Sequence, residues 1–107
     1  MSWPASPELE TYVLRLFVAG TTTRSQNAIT NVRLICDQHL RGHVDLEVID
    51  VYTHPQETRD FQIVATPTLV KVTPEPLRRI VGDLSNRERV LAGLNLAAAE
   101  RERPAAP

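Results

Sequence analysis

The sequence has little cysteine and few aromatic residues: Cys36 is its single cysteine, and aromatic side chains make up 5% of its 107 residues. One cysteine excludes an internal disulfide bond. No apolar run approaches the ~20 residues that a membrane-spanning helix needs. The N-terminus lacks the basic start and the apolar stretch of a signal peptide. We therefore expect a cytoplasmic protein in a reducing compartment, with no membrane association.

An excess of charge of one sign is also absent, because the formal net charge is -1. Binding to nucleic acid requires a strongly basic face, so we expect no nucleic-acid partner. Hydrophobic residues make up 42% and charged residues 23% of the chain, as in ordinary globular proteins. A chain of this length can bury one core, which predicts a single domain.

Hydrophobic periodicity predicts alternating strands and helices between two tails. The predicted strands are 12–19, 44–51, 68–72 and 77–81, and the predicted helices are 25–40, a short helix beginning near 54–55, and 85–96. Phe61, Ile63 and Val64 are expected to be the buried side of the short helix. Residues 1–10 and 97–107 are expected to be flexible, which leaves 11–96 as the domain.

The last predicted helix carries two local signals of opposite sign. Ser85 followed by Glu88 matches a capping box, in which each side chain satisfies a backbone donor at the start of a helix. Gly93 lies within the same helix, where glycine costs about 1 kcal/mol relative to alanine. The first signal favours a helix and the second opposes it.

The order of elements is β-α-β, a short helix, then β-β-α. A right-handed crossover makes the first two strands parallel, and the last two strands form an antiparallel hairpin. This connectivity predicts a thioredoxin-like α/β domain. Pro67 begins the strand after the short helix, where such folds carry a cis-proline, so we predict a cis Thr66–Pro67 bond.

No residue set in the sequence predicts catalysis, a metal site or a cofactor site. A thioredoxin-type enzyme needs a thiolate where the first strand meets its helix, but residues 20–25 contain no cysteine. Cys36 lies on the apolar stripe of the first helix and is expected to be a buried, unreactive core residue. His39, His43 and His54 are expected to lie on the surface, since no further ligands complete a tetrahedral metal site.

Binding to another protein is the function that remains. Arg78 and Arg79 are adjacent in a predicted strand, so their side chains should point to opposite faces. A solvated sheet edge and a contact with a partner account for this pair equally well, because arginine is enriched in interfaces.

Several segments of the chain resemble the KaiB family of small clock proteins. They are Thr11–Leu14 with Val18–Gly20, Val48–Val51, Ala65–Leu69, Arg78–Glu88, Val90–Leu91 and Gly93–Leu94. The resemblance extends over residues 11–96, and the segment Arg78–Glu88 is the most specific part of it.

The resemblance implies a protein that adopts two folds. One state is monomeric and thioredoxin-like, and the other is a β-α-β-β-α-α-β arrangement that is often tetrameric. The thioredoxin-like state of the family binds the N-terminal ATPase ring of KaiC, captures KaiA and competes with the kinase SasA. The local signals of this sequence favour the thioredoxin-like state and a monomer. By the same resemblance, Ser85, Glu88, Gly93 and Asn95 lie in the fold-switching segment.

The candidate partner-binding residues are Asn27, Pro67, Lys71, Arg78 and Arg79. We expect the contact at the end of the sheet near Pro67 and on a basic surface that includes Lys71 and Arg78 or Arg79. Asn27 replaces an arginine that the family uses towards KaiC. Asn95 replaces an aspartate, and the acidic C-terminal tail of the family is replaced by Glu100–Pro104. These differences indicate a diverged copy, whose output is either circadian timing or a stress response. A glutathione-binding thioredoxin-like domain is a further alternative, although such domains usually precede an all-helical domain.

Overall fold

Residues 11–94, the part of the chain that the computed structural model describes, form a four-stranded sheet and three helices. The elements are β1 (Tyr12–Val18), α1 (Thr23–His39), β2 (Val44–Asp50), α2 (Pro55–Asp60), β3 (Thr68–Thr73), β4 (Arg78–Val81) and α3 (Arg87–Gly93). This is the predicted order, and the four strands and α1 agree with their predicted bounds to within two residues. The short helix α2 begins where it was predicted but ends at Asp60, before the residues predicted as its buried side. The predicted tails, 1–10 and 97–107, lie outside the described residues, as do the last two residues of the predicted final helix.

The strand order in the sheet is β2-β1-β3-β4. β1 pairs with β2 in parallel, from Tyr12 opposite Val44 onwards, as a β-α-β crossover requires. β3 pairs antiparallel with β1 on one side and with β4 on the other. These pairings confirm the predicted α/β connectivity. In the sheet that residues 11–94 form, β2 and β4 are the two edge strands.

Most of the core lies on one face of the sheet. Alternate residues of β1 point to this face and pack against α1 and α3, as period-two alternation requires. The buried residues of this cluster are Leu14, Leu16, Val18, Ala28, Val32, Ile35, Cys36, Leu40, Leu69, Ile80, Leu84, Val90, Leu91 and Leu94. The apolar stripe predicted for the first helix therefore faces the sheet.

A smaller cluster lies on the opposite face, where Phe17, Ile49 and Val70 are buried beside the segment that follows α2. The rings of Phe17 and Phe61 have centroids 5.6 Å apart, and the partly buried Ile63 packs on the same cluster. The predicted burial of Val64 is wrong, because that side chain is 93% exposed. Helical spacing does not apply to it: α2 ends at Asp60, and the chain turns at Gln62, whose φ is 57°.

The start of α3 also differs from the prediction. The N-cap is Asn86, whose side chain accepts a hydrogen bond from the backbone N–H of Arg89 at 3.1 Å. Ser85 lies one residue before the cap, and its backbone N–H donates to Oδ1 of Asp83 at 3.1 Å. The capping box assigned to Ser85 and Glu88 is therefore wrong, because the helix begins one residue later than that motif requires.

Candidate partner-binding surface

The junction between β1 and α1 carries hydroxyl groups where a thioredoxin-type enzyme has thiols. Thr22 is the N-cap of α1, and its Oγ1 accepts from the backbone N–H of Ser25 at 3.2 Å. The Oγ of Ser25 accepts from the Thr22 hydroxyl at 2.9 Å and from the Ala19 backbone N–H at 3.2 Å. Ser25 is 1% exposed, so its hydroxyl fixes the start of the helix and is closed to a substrate.

Cys36 lies on the sheet-facing side of α1. The side chain is 6% exposed, and desolvation by burial raises the pKa of the thiol from 9.0 to about 11. Because the thiolate is the reactive form, this thiol is protonated and unreactive at neutral pH. The expectation of a buried, quiet cysteine agrees with this geometry.

Pro67 lies at the end of the sheet where β1 and β2 finish and β3 begins. The Thr66–Pro67 peptide bond is cis, in agreement with the prediction, and the Thr73–Pro74 and Glu75–Pro76 bonds are cis as well. The carbonyl of Pro67 accepts from the backbone N–H of Gly82 at 2.9 Å. Its ring is fully buried, so a partner at this end would contact the chain around Pro67 rather than the ring.

Lys71 does not lie on a basic surface, which corrects the sequence-based assignment. The residue is 1% exposed, and its Nζ donates to the carbonyl of Pro74 at 2.6 Å. Lys71 is two residues from Leu69 in β3, so both side chains point to the face that carries the main core. It therefore orders the turn after β3 and is unavailable to a partner.

Arg78 and Arg79 are both exposed on β4, with their side chains on opposite faces of the sheet. The guanidinium of Arg79 donates from Nε to the carbonyl of Phe61 at 2.9 Å and from Nη2 to Oε1 of Gln62 at 3.4 Å. Within residues 11–94, the ion pairs are those of Arg15 with Asp45 and Glu47. Neither β4 arginine has a carboxylate partner in that part of the chain.

The candidate residues do not form one compact patch. Asn27 is exposed on α1 near the Pro67 end of the sheet, whereas Arg78 lies at the far end of β4. A strand rises about 3.3 Å per residue, so Arg78 is roughly 10 Å along the strand from Val81, which pairs with Thr68. Of the accessible candidates, Arg78 and Arg79 therefore lie along the edge strand β4, whereas Asn27 lies on α1.

The proposed fold-switching residues lie on and around α3. Ser85 and Glu88 are exposed, and Asn95 lies outside the described residues. Gly93 is the last residue of α3 and lies against β4: a Cβ at this position would be 2.5 Å from Cδ1 and 2.9 Å from Cγ1 of Ile80. The glycine that opposed the helix in the sequence thus permits close packing of the helix on the sheet.

Two polar contacts that the sequence did not reveal hold the loop between β4 and α3. Nδ2 of Asn31 on α1 donates to the carbonyl of Asp83 at 2.9 Å. Hydrogen bonds from Ser85, followed by the charge of Arg24, lower the pKa of the Asp83 carboxyl below its ordinary value of 3.8. Asn31 belongs to the polar side of a helix, where no local pattern identifies a tertiary contact.

The histidines do not form a metal site. His54 is exposed, and His39 and His43 are partly exposed. Nε2 of His39 lies 3.1 Å from Nη2 of Arg87. Residues 11–94 contain no cluster of three or more histidine, cysteine, aspartate or glutamate side chains that could hold an ion. In the same residues, no helix is long and apolar enough to cross a membrane.

Two known structures illustrate how widely this fold occurs. The N-terminal domain of Synechococcus elongatus SasA has a TM-score of 0.69 at 24% identity, over 92% of this chain and 94% of that domain. Chloroplastic thioredoxin z has a TM-score of 0.67 at 20% identity, over 83% of this chain and 80% of that protein. Together with the junction, these likenesses define a thioredoxin-like fold whose residues 20–25 contain no cysteine.

Sequence comparison narrows this class to one family. The model of the KaiB domain matches residues 15–96. The circadian clock oscillator protein KaiB of Prochlorococcus marinus is 52% identical over 81% of this chain and 74% of its own length. The circadian clock oscillator protein KaiB1 of Synechocystis is 50% identical over 94% of this chain and 96% of its own length. The chain belongs to the KaiB family of clock proteins.

Proposed function

We propose that this chain is a non-catalytic regulator that binds the N-terminal ATPase ring of a KaiC-like ATPase and modulates its phosphorylation cycle. The observation that carries this proposal is the identity of 50% or more to circadian clock oscillator proteins over most of the chain. The absence of cysteine from residues 20–25 supports binding rather than disulfide exchange, since exchange needs a thiolate there.

The contact surface that we propose consists of Asn27, the chain around Pro67, and the two exposed arginines of β4, Arg78 and Arg79. The side chains of Asn27 and of both arginines are exposed, which supports this choice. Neither arginine has a carboxylate partner within residues 11–94. Lys71 is excluded because its ammonium group is buried. In the thioredoxin-like fold, the protein acts as a monomer.

A second part of the proposal concerns competition on the ATPase ring. The SasA sensor domain has the same fold as this chain, which supports overlapping binding sites for a SasA-like kinase and this protein. Occupancy by this chain would then exclude the kinase and offer a surface to a KaiA-like protein. A ring saturated with the N-terminal sensor domain of that kinase should bind less of this protein.

The test measures binding of the purified protein to the purified KaiC-like ATPase of the same organism, together with the time course of ATPase phosphorylation. We expect capture of the wild-type protein and weaker capture of the double variant Arg78→Glu/Arg79→Glu. The matched control is Arg41→Glu, an exposed arginine in the loop before β2 at the other edge of the sheet. Equal capture of the double variant and the wild type would place the interface elsewhere; no capture of the wild type would refute the function.

A further inference from the structure

The outer edge of β4 offers backbone groups that the sheet does not use. Thr68 lies opposite Val81, and the backbone N–H of Gly82 bonds to the carbonyl of Pro67. Hydrogen-bonded pairs alternate along an antiparallel ladder, so Ile80 and Arg78 direct their backbone groups to β3. Arg79 and Val81 therefore direct their N–H and C=O groups outward, away from β3.

The side chains along this edge combine positive charge with apolar surface. Arg78 and Arg79 are exposed without a carboxylate partner in residues 11–94. The apolar side chains of Leu77 and Val81 flank them and are 40% and 44% exposed. The two bonds from Arg79 to the 61–62 segment fix the orientation of its guanidinium before any partner arrives.

We infer that this edge binds an extended acidic segment of a partner protein, which adds to the sheet as a further strand beside β4. The outward groups of Arg79 and Val81 would bond to the backbone of that segment, and carboxylates would pair with the arginines. The inference rests on the proposed function only in its choice of partner, since it describes how an ATPase ring or another clock protein would contact Arg78 and Arg79.

Two alternative roles for the β4 edge lead to different predictions. Charged residues on an edge strand commonly prevent association with other strands, in which case the edge binds nothing. A purely electrostatic site would take any polyanion and would not need backbone pairing. The chain as a whole has a net charge of -1, which favours a directed contact over general attraction of polyanions.

The first experiment uses a short synthetic peptide of alternating glutamate and valine and records amide signals and amide exchange by NMR. We expect the amides of Arg79 and Val81 to exchange about tenfold or more slowly when the peptide is bound. The matched probe is the same peptide with N-methyl groups on the residues that face β4, which removes backbone donors and keeps the charge. That probe should bind about tenfold or more weakly.

The second experiment changes the protein at the same edge. Val81→Pro removes an outward N–H that the β3 ladder does not use, whereas Val81→Thr keeps it. Binding of the peptide should be lost in the first variant and retained in the second. Arg78→Glu should weaken binding about tenfold, and Arg41→Glu should leave it unchanged.

Several outcomes would overturn the inference. Slow exchange of the Arg79 and Val81 amides before the peptide is added would mean that the edge is already occupied. If the N-methylated peptide or a single-stranded oligonucleotide bound as tightly as the unmodified peptide, binding would depend on charge and not on backbone pairing. If the peptide does not bind, the arginines only prevent association of β4 with other strands. Capture by the KaiC-like ATPase is measured separately, so it can succeed when strand addition fails, and the two proposals fail independently.

Discussion

Burial determines the chemistry of the single cysteine. Cys36 shares the core face of α1 with Val32 and Ile35, and the low polarity there disfavours the charged thiolate. Its pKa is raised to about 11, so the native state holds a proton that the unfolded chain releases above pH 9. The contribution of this group to the free energy of unfolding is therefore fully present below pH 9, and it is lost as the pH rises from 9 to 11.

The Cys36 thiol should therefore react slowly with a thiol reagent in the native protein and rapidly in denaturant. In addition, the stability of the wild type should fall more steeply between pH 9 and 11 than that of Cys36→Ala, which lacks the ionisable group. Denaturant titrations at several pH values measure the difference. Native labelling as fast as in denaturant would show that the side chain is accessible.

Asn86 and Ser85 give a second test at the level of single residues. Asn86 accepts from the N–H of Arg89, so Asn86→Ala should lower the free energy of unfolding by about 0.5–2 kcal/mol. Ser85→Ala removes an exposed side-chain hydrogen bond to Asp83 but keeps the backbone bond to it, so it should cost about 0.5 kcal/mol or less. Chemical denaturation of both variants compares them directly. If Ser85→Ala lowered the free energy of unfolding more than Asn86→Ala, Ser85 would be the N-cap, as the predicted capping box requires.

Lys71 and the cap of α3 show why some residue roles were missed. Serine and asparagine are nearly equal as N-caps, and Glu88 stands at the capping-box distance from Ser85, so the sequence favoured the wrong one of two adjacent residues. The burial of Lys71 could have been predicted, because Leu69 shares its face of the strand. The contact of Asn31 with Asp83 joins distant parts of the chain and could not.

At the scale of elements, α3 depends on its packing against β4. The close approach of Gly93 to Ile80 leaves no room for a methyl group unless the isoleucine moves. Helix propensity alone predicts that Gly93→Ala favours the helix by about 1 kcal/mol. The contact adds an opposing cost, which depends on how easily the Ile80 side chain can rotate.

A double-mutant cycle separates these two effects. Ile80→Val removes the Cδ1 atom that a Cβ at position 93 would approach to 2.5 Å. Gly93→Ala should therefore be more favourable in the Ile80→Val background than in the wild type, by about 1 kcal/mol. Denaturant unfolding of the four proteins gives the coupling energy. Additive effects would show that Ile80 moves aside without cost and that propensity alone governs this site.

The elements themselves were largely predictable. The apolar run of β1 follows from covering both faces of that strand, and the apolar stripe of α1 follows from burying one face of the helix. Both patterns are visible in the order of residues. The segment after α2 was not predictable, because the turn at Gln62 ends the helical periodicity and exposes Val64. Interruptions of this kind depend on tertiary contacts such as the packing of Phe61 on Phe17.

At the scale of the whole molecule, the connectivity followed from the order of elements, whereas the partner-binding surface did not. Handedness and short connections leave few arrangements for a β-α-β unit followed by a hairpin and a helix. A surface, in contrast, depends on which residues of separate strands share a face and which are covered. The grouping of Lys71 with Arg78 in one basic surface failed for that reason.

Backbone chemical shifts show which of the two family folds dominates. In the structure, residues 87–93 are helical and follow the hairpin of β3 and β4. Backbone chemical shifts of the protein should therefore be helical across 87–93 and extended across 68–73 and 78–81. The KaiB-family alternative, β-α-β-β-α-α-β, ends in a strand. Extended shifts across 87–93 would mean that the alternative fold is the dominant state.

Weakening α3 should shift this balance in a defined direction. About 1.4 kcal/mol changes a ratio of two states tenfold, so loss of the cap in Asn86→Ala should raise a minor alternative state by roughly twofold to thirtyfold. Ser85→Ala, which removes the serine of the predicted capping box, is the matched control. The measurement is the population of a second set of amide signals for residues 85–94, with the tetramer expected of that state followed by light scattering. If Asn86→Ala unfolds the chain without producing a second folded set, then α3 stabilises this fold alone and this sequence has no accessible alternative.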